Sequence, residues 1–201
     1  VAQRRARPAS DLISRLLLAA EGDERLGEEE LIALCVMLLF AGHETTVNLI
    51  SAGALLLLDQ PQQLALFRTR PELVDPAIDE FLRLHSPIQA TTRIAYADVV
   101  IGGRLVRRGE SVTLLLGSAN RDPAAFPDPD RLDIARRPNR HLAFGRGIHY
   151  CLGAPLAVAQ GGIALRALFE ICPNWQPAAA PMWSDNFGFR GLASLPVVCA
   201  R

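Results

Sequence analysis

The sequence predicts a mainly α-helical protein with several small β-sheets, and three observations lead there. Residues 28–59 form a long apolar pattern that opens on Glu28-Glu29-Glu30 and stops before Pro61, so carboxylates meet the positive end of a helix and proline closes the other end. Residues 154–171 form a second, Ala/Leu-rich helical run closed by Pro173. Between them the strand candidates are all short branched segments bounded by glycine, enough for hairpins but not for a large sheet. With 201 residues, 50% of them hydrophobic, the chain is long enough for one sizeable core and too short to need two, so residues 1–201 are expected to form a single unit.

Taken in order, residues 1–8 read as a loop or frayed end. Asp11 is placed to cap a helix reaching residue 20, and Gly22-Asp23 reads as the loop that follows. At 1.5 Å per residue the 28–59 helix would extend about 45 Å. It is apolar nearly all round, which predicts a course through the middle of the molecule. Shorter helices are expected at 62–68 and 76–85. Strands are expected at 90–94, 99–101, 104–106 and 111–116, with Gly102-Gly103 marking a hairpin. Prolines at 123, 127, 129 and 138 exclude regular structure from 120 to 140. Residues 186–198 read as a hairpin of two short strands around Gly188 and Gly191.

Charge and composition narrow the partners. Basic and acidic residues balance at 21 each, every basic residue is Arg, and no basic run exceeds two residues, so no footprint for a phosphate backbone exists and nucleic acid is not an expected partner. The apolar runs 31–40 and 49–58 are each about half the roughly 20 residues that cross a bilayer, with Gly42-His43-Glu44-Thr45-Thr46 between them, so no membrane partner is expected. Cysteines 35, 151, 172 and 199 follow no spacing pattern, and a reactive thiolate needs a reducing compartment, which favours the cytoplasm.

Cys151 stands apart from the other three. Gly145 and Gly147 permit a tight turn and leave room for a flat ligand, and Gly153-Ala154-Pro155 begins a helix immediately after it. A thiolate there meets free backbone amides and the positive helix end, which suits a ligand or nucleophile. The competing reading is a buried cysteine acting as a small hydrophobe. Zinc is disfavoured because no second cysteine lies at short spacing and only His141 and His149 are near. A papain-like nucleophile would need a sequence-distant histidine partner, and a single thiolate suits an axial ligand to haem iron.

The stretch Phe144-Gly-Arg-Gly-Ile-His-Tyr-Cys-Leu-Gly153 resembles the haem-binding loop of the cytochrome P450 superfamily of haem-thiolate monooxygenases, with every fixed position of Phe-Gly-x-Gly-x-His-x-Cys-x-Gly filled. Three further segments match in order: Ala41-Gly-His-Glu-Thr-Thr46, Glu80-Phe-Leu-Arg83 and Phe126-Pro-Asp-Pro-Asp-Arg131. The match covers nearly the whole chain but only the C-terminal half of the family pattern. The implied fold is the C-terminal portion of the cytochrome P450 fold: a long central helix, the Glu-x-x-Arg helix, the haem-thiolate loop and its following helix.

The resemblance implies haem b with Cys151 as axial ligand. Ala41 and Gly42 would lie where the long helix loosens over the haem to admit dioxygen, and Glu44 and Thr45 would be the acid and alcohol that deliver protons. On residue chemistry alone, Thr45 equally bonds back to a helix carbonyl and Glu44 reaches solvent. Arg93 and His149 would bind haem propionates, Phe144 would screen the sulfur, and Gly145, Gly147 and Gly153 would shape the loop. Glu80 and Arg83 would be a buried pair joined by Arg131, with a structural role. Ile88, Gln89, Ala90, Gly188 and Phe189 match positions that often line the substrate pocket, and His141 is left as structural. Implied partners are dioxygen, an apolar or partly apolar small molecule, and a ferredoxin or ferredoxin/reductase electron donor. Two rival readings are a catalytically silent chain that lacks the lid and propionate-binding helices, and a peroxide-driven enzyme on the same scaffold.

The chain also departs from the family pattern after Cys151. Val158 and Gln160 replace an arginine and a carboxylate of Leu-Ala-Arg-x-Glu, which puts donor docking in question. Gly161-Gly162 is expected to weaken the helix interior.

Overall fold

The computed structural model describes residues 1–21 and 24–199, so the loop expected at Gly22-Asp23 lies outside them. The chain divides into two compact units, Val1–Glu44 and Thr45–Arg201.

The first unit holds helices α1 (Ala2–Ala6) and α2 (Leu12–Leu18), the antiparallel pair β1 (Ala20–Glu21) and β2 (Glu24–Arg25), and the start of α3 (Glu28–Asp59). Helix α1 occupies the stretch expected to be frayed. Asp11 caps α2 as expected, its Oδ1 accepting from the Ser14 N–H at 2.9 Å. Glu30 reaches back to the Gly27 N–H at 2.8 Å, which satisfies a donor that the first turn of α3 leaves orphaned.

α3 departs from the expected course through a core. Val36, Leu39 and Phe40 are 62%, 75% and 59% exposed, whereas Leu49, Ala52, Ala54 and Leu57 are buried. An all-round apolar pattern needs partners on all sides, and among the described residues the first unit offers two short helices and a pair of two-residue strands. By length and composition alone, α3 and the later helix α7 (Ala154–Ile171) are each apolar enough to cross a bilayer.

In the second unit follow α4 (Pro61–Thr69), α5 (Val74–Leu84), β3 (Ala90–Ile94), β4 (Val99–Ile101), β5 (Arg104–Val106), β6 (Ser111–Leu115), the short α6 (Leu116–Ala119) and α7. The C-terminal strands are β7 (Trp175–Pro177), β8 (Met182–Trp183), β9 (Leu192–Ser194) and β10 (Val197–Cys199). Strands β3 and β6 pair from Ala90↔Leu115 to Ile94↔Ser111, and β4 pairs with β5 across Gly102-Gly103, both at positive φ. The tail differs from the expected hairpin: β9 pairs with β8 and β10 with β7, so neither tail strand pairs with the other. Residues 192–194 and 197–199 are joined by Leu195-Pro196, a pair that does not take the positive φ a two-residue hairpin turn requires, and each finds its partner upstream.

The core centres on α5. Ala77, Ile78 and Phe81 are fully buried and pack with Leu49, Leu57, Phe67, Ile134, Leu165 and Phe169. The Gly161-Gly162 pair proves to be a packing device rather than a weakness, and α7 is unbroken through it. A Cβ on Gly162 would come within 2.9 Å of Val74, and one on Gly161 within 3.2–3.3 Å of Leu49 and Ile78. The missing side chains let α7 approach closely, at a cost in helix propensity of about 1 kcal/mol each.

The cysteines also differ from expectation. Cys172, which ends α7, and Cys199 in β10 form a disulfide across 27 residues, while Cys35 and Cys151 are free.

Candidate functional site

The loop from Phe144 to Gly153 folds on itself through its backbone. Gly145 and Gly147 sit at φ +72° and +70°, in the left-handed region that favours glycine. The Gly145 N–H donates to the Leu142 carbonyl at 2.8 Å, Tyr150 N–H to Gly147 at 3.0 Å, and Cys151 N–H to Phe144 at 2.9 Å. Gly153 is the N-cap of α7, so Cys151 stands two residues before the cap. Its thiol is free and half-buried. On either side Ile148 is 98% exposed and Leu152 88% exposed. A lone thiol flanked by uncovered apolar side chains, on a loop held open by glycine, fits a flat apolar ligand that takes an axial sulfur.

Phe144 is half-buried against the core, with its ring centre 5.7 Å from that of His141 and 6.2 Å from that of Tyr150. His141 is structural as expected: Nδ1 accepts from the Ala143 N–H at 3.2 Å and Nε2 lies 3.4 Å from Asp79 Oδ1. His149 is exposed on the loop. Arg93, in β3, is exposed and donates to Thr91 Oγ1 and the Thr92 carbonyl, both at 2.9 Å, and it makes no ion pair among the described residues. Both side chains are therefore open to an anionic group such as a propionate.

Beneath the loop lies a buried ionic network. Glu80 and Arg83 are both 0% exposed and meet through two bonds, Nε to Oε2 at 2.8 Å and Nη2 to Oε1 at 2.9 Å. The guanidinium also donates to the Asn120 and Pro129 carbonyls at 2.9 and 2.6 Å and lies 5.3 Å from the Phe126 ring centre. The third arginine is Arg136, not Arg131. Arg136 Nε reaches Glu80 Oε1 at 3.1 Å, while Arg131 gives only its carbonyl, to Arg83 at 3.3 Å and Arg136 at 3.2 Å, and its own side chain is exposed. The turn closed by Arg131 N–H on the Asp128 carbonyl aims the Arg131 carbonyl inward, which the motif could not show. Asn139 Nδ2 and the Asp133 N–H complete the shell of Glu80, each at 3.1 Å.

Asn120, fully buried, was also missed. It donates to Ser86 Oγ at 2.8 Å and accepts the Leu142 N–H at 2.7 Å, tying the end of α5 to the start of the Cys151 loop. A single asparagine ahead of a proline-rich segment carries no signal of that role.

The residues matched to a pocket come together from opposite ends of the unit. Ile88 and Phe189 form an isolated antiparallel bridge, Gln89 N–H donates to the Gly188 carbonyl at 3.2 Å, and Ala90 begins β3 beside them.

On α3, Ala41 and Gly42 are exposed and Glu44 and Thr45 half-buried. The helix runs unbroken through them, so the loosening expected here is not seen. A continuous hydrogen-bond ladder leaves no gap in the backbone, and Gly42 faces open space in which an added Cβ would meet nothing within 4 Å. Val158 packs half-buried against the core and lines a cleft of about 490 Å³ with Asp75, Asp79, Tyr150 and Pro155.

His85, the C-cap of α5, is pushed from 6.5 down to about 4 by burial and by the Arg190 and Arg121 guanidiniums. Between those values the unfolded chain binds a proton that the folded one refuses, so stability is held above about pH 6.5 and falls as pH drops toward about 4. A shift of this size corresponds to about 3 kcal/mol. The expected result is that His85→Asn loses this part of the acid sensitivity, read as the difference in urea midpoint between about pH 7 and about pH 4.5.

Residues 2–69 and 67–172 match the family described as cytochrome P450. The chain is 47% identical over 198 residues to the biotin biosynthesis cytochrome P450 of Bacillus subtilis, covering 98% of this chain and 50% of that protein. It is 44% identical over 199 residues to the cytochrome P450 monooxygenase PikC of Streptomyces venezuelae, covering 96% and 48%. Its structure is similar to that of P450BioI in complex with an acyl carrier protein carrying hexadec-9Z-enoic acid, with a TM-score of 0.94 at 46% identity over 99% of this chain and 51% of that one. It is also similar to CYP109E1 from Bacillus megaterium in complex with testosterone, with a TM-score of 0.94 at 39% identity over 98% and 56%. The chain spans about half the length of the curated relatives it matches.

Proposed function

Since the chain belongs to the cytochrome P450 family, whose members are haem-thiolate proteins, we propose that it supplies the thiolate loop and proton-handling residues of a bacterial cytoplasmic monooxygenase. The observation that carries this reading is the Cys151 loop: a free thiol ahead of α7, on a backbone held open by Gly145 and Gly147 and flanked by uncovered Ile148 and Leu152. Bound haem supplies the dioxygen chemistry that no side chain possesses, and thiolate ligation pushes electron density toward it.

The chain's own residues do the rest. Cys151 would supply the sulfur that holds the haem iron. Arg93 and His149 bind propionate oxygens through charge-assisted bonds. Phe144 shields the sulfur from water. The Glu44 carboxylate and Thr45 hydroxyl hold and pass protons. Ile88, Gln89, Ala90, Gly188 and Phe189 wall an apolar or partly apolar substrate, and electrons come from a ferredoxin-type donor.

The test is haem titration of the chain. We expect one haem per chain and, after reduction under carbon monoxide, a red-shifted Soret band of thiolate type that Cys151→Ser abolishes. The same band persisting in Cys151→Ser would overturn the assignment. Exposure of Val36, Leu39 and Phe40 on α3 supports a second reading, in which these 201 residues hold haem only when further polypeptide covers that face. Absent uptake by the chain, with Cys151 still open to alkylation, would favour it.

A further inference from the structure

We propose that His85, Trp183 and Arg190 form a positioning clamp that fixes the loop 184–191 against Pro87–Gln89 and so sets one wall of the substrate pocket. The inference rests on the assignment of Ile88, Gln89, Gly188 and Phe189 to that wall.

The loop leaves β8 after Trp183 and returns to β9 before Leu192, closed at its base by Ser184 N–H on the Gly191 carbonyl at 2.9 Å. Within it, Asn186 Oδ1 accepts from the Gly188 and Phe189 amides at 2.9 and 3.1 Å, which fixes the shape of the tip. The tip meets the pocket segment through the Ile88↔Phe189 bridge, the Gln89 N–H to Gly188 carbonyl bond at 3.2 Å and the Arg190 N–H to Pro87 carbonyl bond at 2.8 Å. So short a ladder is marginal by itself and open to slippage in register.

The clamp supplies what the ladder lacks. His85 is anchored to the core, since it caps α5 and its N–H donates to the buried Phe81 carbonyl at 2.8 Å. Its ring stacks on Trp183 at 5.2 Å and 22°. Arg190 Nε donates to His85 Nδ1 at 3.2 Å, which requires a neutral ring with the Nδ1 lone pair free. The same guanidinium lies 4.3 Å from the Trp183 ring centre, within cation–π range. Trp183 stands just before the loop and Arg190 near its end, so a single imidazole holds both strands of the loop's base. Beside them, a Cβ on Gly191 would come within 2.0 Å of Asn48 Oδ1 on α3, so the Asn48 side chain lies directly against the bare backbone of Gly191.

The test is residue-resolved amide exchange on the haem-free chain, comparing the parent with Trp183→Ala, Arg190→Gln and the ring-conserving Trp183→Phe. Exchange of the Gln89 and Arg190 amides is expected to rise roughly tenfold in the first two variants and to stay within about threefold of the parent in the third. Amides of the β3–β6 ladder are expected to keep their protection throughout. Unchanged protection at Gln89 and Arg190 would overturn the clamp, and so would its loss together with that of β3–β6, which would mark a general structural role. Because no haem is present, failure here leaves the Cys151 assignment standing, and failure of haem binding leaves this measurement readable.

Discussion

Replacing Glu80 with alanine is expected to remove about 3–5 kcal/mol of stability, the largest effect of any single change in the chain. The reason lies less in the attraction lost than in the charge left behind. Arg83 is 0% exposed and cannot turn to water, and its remaining partners are the Asn120, Pro129 and Arg131 carbonyls, which carry no compensating charge. Arg136 and Asn139 lose an acceptor at the same time. Arg136→Ala is expected to cost about 1.5–3 kcal/mol, chiefly through the charged bond to Glu80, since the Pro127, Asp128 and Arg131 carbonyls that also lose the guanidinium lie where water can replace it. Arg131→Ala is expected to stay within about 0.5 kcal/mol, because its side chain is exposed and its carbonyl remains. Urea unfolding followed by circular dichroism ranks the three. An Arg131→Ala loss as large as that of Arg136→Ala would return the third-arginine role to Arg131.

Opening the Cys172–Cys199 bridge is expected to cost about 3.5 kcal/mol, from the entropy returned to an unfolded chain no longer closed into a 27-residue loop. Cys172 is 4% exposed at the end of α7, and Cys199 lies opposite Trp175 in the β7–β10 pair, so the bridge fastens the last strand to the helix that follows the Cys151 loop. Cys199→Ser, or reduction of the parent, should lower the guanidinium midpoint by the same amount. Alkylation under native conditions should label Cys35 and Cys151 and spare the other two. Labelling of all four thiols without reductant would remove the bridge from the account.

These two predictions differ in how far the sequence foresaw them. Glu80 and Arg83 were legible because they sit three apart on one helix, a spacing that brings side chains together whatever the rest of the chain does. Arg136 was not, since nothing local distinguishes it from Arg131 or Arg137 in a segment without periodicity. The disulfide was invisible for the same reason: its separation matches no motif, and only the return of β10 to β7 brings the two sulfurs together. The course of α3 was misjudged because periodicity reports which faces are apolar, while burial depends on what stands opposite them.

The sequence alone determined the Cys151 loop, its glycines and the helix that follows, the bounds of α3 and α7, the place of α5 to within two residues, and the strands from Ala90 to Leu115. These depend on backbone sterics, capping and side-chain spacing within a few residues. Only the tertiary structure decided that Arg136 completes the Glu80 shell, that Asn120 ties α5 to the Cys151 loop, and that Phe189 meets Ile88 from a hundred residues away. Each is a contact between segments whose own patterns are silent about one another, fixed by the path of the chain between them.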